Sequence, residues 1–221
     1  MATARNSIGN YRGSSAAERR AKRREALIRA AILVYGERGY RNATVKAVCD
    51  AAGLTERYFY ESFTNSEALL AASYRAVTGM LLADLEQAGQ AASGEPADRV
   101  RAILAFYFQA LAGEPRSARL FLVEIGGVSA ELDRIFADSL EAFGALIERM
   151  LGETSDALLR KAVVGGVIHL ASDWVARSYP EPVAAVTDAA LRLCLMLGKD
   201  GEKARAALID KGEAAGDCHR H

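Results

Sequence analysis

Proline is scarce in this chain. The four, Pro96, Pro115, Pro180 and Pro182 of 221 residues, all fall where helical patterns break. Proline inside a helix costs ~3 kcal/mol, so these positions mark helix junctions. Sustained strand alternation is missing, and so is any internal repeat. The segments between the prolines are instead rich in Ala, Leu, Glu and Arg, with apolar residues at threes and fours. That periodicity predicts an all-α fold, with helices outside the DNA-binding pair over about 17–38, 66–92, 97–113, 116–125, 129–151, 155–179 and 182–198 and a short amphipathic one over 202–211. Cysteine is too sparse for a disulfide framework or a paired zinc motif: Cys49, Cys194 and Cys218 are odd in number and far apart, which fits a reducing cytoplasm. The longest run without a charged residue, Ala102 to Gly113, has 12 residues, against the roughly 20 that a membrane-spanning helix needs. The opening MATARNSIGNYRGSS has no apolar core of a secretory signal. A soluble cytoplasmic protein with no membrane partner is expected. A nucleophile with a base at fixed spacing, a metal motif and a glycine-rich phosphate loop are all lacking, so neither an enzyme nor a cofactor or metal is expected.

Charge is present in balance but not evenly spread. Residues 1–65 carry 12 Lys+Arg against 6 Asp+Glu, which leaves 16 and 22 for residues 66–221. A basic amino-terminal third on an acidic remainder suits a DNA-binding head on a body that does not bind DNA, although a solvated face would give the same asymmetry. The cluster ERRAKRRE at 18–25 places cations at a helix start, where the helix dipole disfavours them. Either a phosphate partner or solvation alone would explain it. The first 17 residues are polar and without period, and read as a flexible arm whose Arg5 and Arg12 either reach a minor groove or belong to a disordered end.

The most informative stretch is Thr44 to Asn65, TVKAVCDAAGLTERYFYESFTN. Thr44 is a natural N-cap, Val45, Val48, Cys49 and Ala52 share a helical face, Gly53 can turn the chain, and Thr55 can cap a second short helix. Two helices across a tight turn are the helix-turn-helix plan, whose second helix enters the major groove. With LIRAAILVYGERGY before it and NSEALL after it, this stretch resembles the DNA-binding domain of TetR-family transcriptional regulators. The resemblance implies that Thr44 and Tyr60 touch phosphate and that Glu56, Arg57 and Tyr58 face the major groove, with Thr55 beside them. Arg57 can donate two hydrogen bonds to guanine, Glu56 can accept from cytosine, and Tyr58 can meet a thymine methyl or a phosphate; Arg57 and Glu56 could also simply be solvated. Phe59 and Phe63 read as core. Ser66 stands where the family usually has a phosphate-binding Lys, so Lys46 or the ERRAKRRE cluster is expected to compensate.

Beyond Leu70 the resemblance implies an inducer cavity and a dimer interface. Phe106, Phe121 and Trp174 are large side chains on candidate helices and serve either as core or as pocket wall. Glu124, His169 and Asp173 are the polar residues among them. His169 and Asp173, one helical turn apart, suit an internal hydrogen bond, a ligand's polar group, or a metal that would need further ligands. Ala162, Gly165 and Gly166 form a small face that lets another helix come close, either within the chain or across a C2 dimer. The expected domains are an arm at 1–17, a helix-turn-helix domain at 18–65, a ligand-binding and dimerisation domain at 66–213 and a tail at 214–221 containing CHRH. The expected function is a ligand-responsive, homodimeric regulator, a repressor released from a palindromic operator on double-stranded DNA by a mainly apolar small-molecule inducer. The rival is an architectural DNA-binding protein with no ligand.

Overall fold

The computed structural model describes residues 15–152 and 156–197. Within them every regular element is helical, with no strand among the described residues. Arg5, Arg12, the short amphipathic helix expected at 202–211 and the CHRH end lie outside the described residues.

Helix α1 (Ala16–Arg38) opens on a capping box. The Ser15 hydroxyl accepts from the Glu18 N–H at 3.1 Å, and the Glu18 carboxylate accepts from the Ser15 N–H at 2.7 Å. Two amides that a helix start otherwise leaves unpaired are thereby satisfied. After Gly39 a single 3-10 turn, Tyr40–Asn42, leads to α2 (Val45–Ala52) and α3 (Glu56–Tyr60). These helices form a head that buries Leu27, Ala31, Val34, Val48, Cys49, Phe59 and Phe63. The turn between α2 and α3 depends on Gly53, which adopts φ 66° and ψ 31°. An added Cβ there would meet nothing within 4 Å. The demand for glycine is therefore one of backbone conformation, since L side chains disfavour the left-handed region.

The body begins with α4 (Ser66–Ala91), whose first turn is capped by the Asn65 side chain accepting from the Ala68 N–H at 2.8 Å. It continues through α5 (Pro96–Gly113), α6 (Pro115–Arg119), a π turn at Leu120–Glu124, α7 (Ala130–Leu151), α8 (Ala157–Ala176) and α9 (Val183–Leu195). Pro96 and Pro115 occupy the first turns of α5 and α6, where a missing N–H breaks no helical bond. Pro180 and Pro182 lie in the link between α8 and α9. Helix α5 is central, packed against α4, α7 and α9. By length and composition alone α4 could cross a membrane, but 50% of its most apolar window is buried inside the bundle, as in a core helix.

Two expected helices differ from the observed ones. Arg116 to Ile125 is divided into α6 and the π turn. A π turn holds one extra residue and shifts the helical phase, and Leu-Phe-Leu-Val is apolar at every position, so no periodicity could reveal the shift. Helix α8 stops at Ala176 rather than Tyr179, because Ser178 (φ 61°) and Tyr179 (φ 60°) turn left-handed. The Tyr179 N–H closes that turn on the Trp174 carbonyl at 2.9 Å.

Candidate functional site

The head presents the residues expected at DNA. Thr44, Lys46, Thr55, Glu56, Arg57 and Tyr60 are exposed and Tyr58 is half-buried. Thr44 caps α2, its hydroxyl accepting from the Ala47 N–H at 3.1 Å. Thr55 starts α3 through its carbonyl, which accepts from the Tyr58 N–H at 3.0 Å, but its hydroxyl makes no capping bond. The expected side-chain cap is corrected accordingly. Arg57 Nε donates to Glu61 at 3.2 Å with its side chain 84% exposed. Lys46 pairs with Asp50 at 2.9 Å, a hydrogen bond that holds the ammonium pKa above its ordinary value. Exposed pairs one helical turn apart are weak and screened by salt, so both cations can exchange these partners for phosphate or a base.

Part of the basic cluster has partners within the chain. Arg20 Nη2 donates to the Glu61 carbonyl at 2.6 Å. Arg23 lies over the Tyr58 ring at 4.4 Å and reaches the Glu61 carboxylate at 3.5 Å, and Arg24 lies 4.9 Å from the centre of the Phe63 ring. Three of the five cations in ERRAKRRE therefore hold α1 against α3 and the residues just past it. Cation–π and charge-assisted contacts outweigh the unfavourable helix dipole at these positions. Their partners lie 35 to 41 residues away in the chain, beyond the reach of any local pattern.

Three neighbouring spaces lie in the body. A cleft of ≈ 200 Å³ opens between α4, α5 and α6 beside Val77, Met80, Phe106 and Phe121, with the carboxylates Asp84 and Glu114 also on it. An enclosed cavity of ≈ 20 Å³ lies deeper, lined by Thr78, Tyr107, Phe121, Ser139, Leu140 and Phe143 among others. A second cleft, ≈ 270 Å³, runs between α7 and α8 along Leu140, Glu141, Arg160, Lys161 and Val164. Leu81 and Phe121 line both the first cleft and the cavity, and Leu140 lines both the cavity and the second cleft.

Of the six residues expected at a ligand, Phe106 and Phe121 line these spaces and four do not. Trp174 is buried, but its indole N–H donates to the Glu181 carbonyl at 2.9 Å in the link to α9. His169 and Asp173 are exposed, and Asp173 pairs with Arg177 at 2.8 Å. The inward face of α8 is instead Val163, Val164, Val167, Ala171 and Trp174. Because α8 is apolar nearly all round, its sequence could not say which face turns in. Among the described residues no three metal-binding side chains converge.

Glu124 is the fourth. Its carboxylate accepts from the Tyr40 N–H at 2.7 Å and from Arg119 Nε at 3.0 Å. It thus joins the π turn of the body to the 3-10 turn ahead of α2. Arg116 reinforces the junction through Glu37 at 2.6 Å, and a Cβ at Gly36 would strike the Arg116 backbone at 2.6 Å.

Sequence reasoning missed the polar chemistry inside the body. The Tyr74 and Ser139 hydroxyls are hydrogen-bonded at 2.7 Å, and burial pushes the Tyr74 phenol up to about 12. Tyr107 carries a buried hydroxyl that has no hydrogen-bond partner. Only its type was legible, because the fate of a phenol depends on neighbours distant in sequence.

On the outer side of α8, Leu158, Ala162, Gly165 and His169 are exposed in a row at helical spacing. Gly166 is half-buried, a Cβ there meeting Leu193 at 3.3 Å, whereas Gly165 has open space around it. Leu195 and Met196 add exposed apolar surface at the end of α9.

Comparison with known proteins matches residues 27–73 to the family model for bacterial regulatory proteins of the tetR family. The chain is 21% identical to the fatty acid metabolism regulator protein of Bacillus subtilis over 178 residues, 76% of this chain and 91% of that one. It is 32% identical over 100 residues to the transcriptional regulator BetI of Rhizobium meliloti, 45% of this chain and 49% of the relative. The crystal structure of FadR from Bacillus subtilis, in complex with stearoyl-CoA, shares the fold with a TM-score of 0.66 at 21% identity, over 77% of this chain and 96% of that one. The helix-turn-helix head thus matches the tetR-family model, and head and body together share the fold of a solved FadR.

Proposed function

We propose that the protein is a homodimeric repressor that a small, mainly apolar molecule releases from a palindromic operator. In this reading Glu56, Arg57 and Tyr58 read bases while Thr44, Lys46, Thr55 and Tyr60 hold phosphates. Ala162, Gly165 and Gly166 lie at the twofold, so that two recognition helices meet successive turns of the duplex.

A single observation carries the reading. Phe121, which walls the cavity, and Glu124, which holds the Tyr40 N–H, belong to one five-residue turn. A ligand that enters past Phe121 must move that turn, and the turn is bonded to the chain just ahead of α2. Ligand and operator then favour different positions of the turn, and the coupling acts equally in both directions. The fold shared with a FadR solved in complex with stearoyl-CoA supports a long-chain acyl thioester as the first ligand to test.

Selection of bound fragments from random DNA should yield an inverted repeat whose binding weakens steeply with salt as counterions are released. Stearoyl-CoA added to that complex should then release the DNA. If a broad panel of acyl thioesters and other apolar compounds left operator affinity unchanged, the architectural rival would replace this reading.

A further inference from the structure

Five side-chain polar atoms are buried without a hydrogen-bond partner among the described residues: Arg23 Nε, Ser62 Oγ, Ser73 Oγ, Tyr107 Oη and Thr187 Oγ1. Only Tyr107 among them lines one of the three body spaces. An unpaired buried hydroxyl is costly to keep, and replacing it with a ring hydrogen would be simple for a protein that gained nothing from it. We propose that the Tyr107 hydroxyl donates a hydrogen bond to the carbonyl oxygen of a bound long-chain acyl thioester and so distinguishes it from a plain hydrocarbon tail. The proposal rests on the ligand-responsive reading above.

The surroundings supply one donor in an otherwise apolar place. The nearby Tyr74 and Ser139 hydroxyls are bonded to each other, and Thr78 is bonded to the carbonyl of Tyr74. Neither bond involves Tyr107. Burial raises the Tyr107 pKa well above its ordinary value, so the phenol keeps its proton and can donate.

Charge sets the direction in which such a ligand lies. Asp84 and Glu114 line the cleft between α4, α5 and α6, and no cation does. Arg160 and Lys161, together with Glu141, line the cleft between α7 and α8. A polyanionic head is repelled by the first cleft, so it leaves by the second while the tail fills the first. The carbonyl between them passes Tyr107 once Leu140, Leu81 and Phe121 change rotamer.

The test compares stearoyl-CoA with S-octadecyl-CoA, the thioether that lacks the carbonyl, by titration calorimetry on the full chain. The wild type should prefer the thioester by about tenfold, as expected for one buried hydrogen bond. Tyr107→Phe should bind both compounds alike, and without ligand it should melt at the same temperature or higher, since it loses only an unpaired hydroxyl. A preference that persists in Tyr107→Phe would overturn the proposal and leave the acyl-thioester reading standing. So would a ligand-free variant that melts lower and loses affinity for both compounds equally, because the hydroxyl would then be structural. Binding of neither compound by the wild type would overturn the ligand class and this proposal together.

Discussion

The head and the body use their aromatic residues in opposite ways. In the head, Phe59 and Phe63 sit 6.0 Å apart and fully inside, with Arg23 and Arg24 laid over the neighbouring Tyr58 ring and the Phe63 ring. In the body, Tyr74 and Phe121 stack at 5.7 Å and Tyr107 lies 5.8 Å from Phe143, yet Tyr107, Phe121 and Phe143 border a cavity. A closed core fixes the exposed residues of α2 and α3, and the proposed DNA recognition needs that fixed geometry. A core with spaces gives up some dispersion energy and in exchange has room to answer a ligand. The two halves meet around Glu124 and Arg116, whose bonds to Tyr40 and Glu37 tie the yielding part to the fixed one.

The sharpest way to break the contrast is Phe59→Ala. Truncating a buried Phe costs about 3–5 kcal/mol, enough to disorder α3 and abolish operator binding. If only the head depends on this ring, titration with stearoyl-CoA should still give wild-type binding to the body. Loss of both would show that the halves fold as one unit.

Gly165→Leu should next separate assembly from folding. Gly165 has open space within its own chain, so the variant should fold normally. In a close helix pair across a dimer, overpacking costs about 1–3 kcal/mol, and sedimentation should show a shift toward monomer. An unchanged dimer would move the interface elsewhere.

Arg57→Ala tests the exposed face alone. A lost bidentate base contact reduces discrimination by about 1–3 kcal/mol, so the selected sequences should relax at one position while the melting temperature stays unchanged. Glu124→Gln should give the smallest effect. The neutral amide still accepts from the Tyr40 N–H, but the charge-assisted part of the bond is lost, about 1 kcal/mol. Operator affinity and ligand affinity measured separately should barely change, while the ligand concentration that releases DNA should rise.

Legibility followed the same divide. The helix-turn-helix could be read because its signals are local. Thr44, Gly53 and Asn65 each act on backbone within a few residues, and the candidate recognition residues fall between positions 44 and 60. Most helix ends in the body fell within two residues of the expected positions for the same reason, since prolines and caps are local too. What could not be read was phase. Periodicity says which residues share a face but not where that face points, so His169 and Asp173 were expected inside and lie outside. Partnership across the chain was equally hidden: Arg20 with Glu61, and Glu124 with Tyr40, are contacts between segments that nothing in their own composition links.

Trp174 gives the molecule an internal dye confined to one half. It is the only tryptophan in the sequence, held edge-on against Phe108 and Tyr179 at 5.6 and 4.9 Å with its N–H on the Glu181 carbonyl. Its emission in the folded chain should be that of a shielded indole, shifted to the blue, and should move to the red when α5, α8 and the α8–α9 link come apart. The head has no tryptophan. In a urea titration, indole emission therefore follows the body while helical circular dichroism follows the whole chain, and the gap between the two midpoints measures how independently the halves unfold.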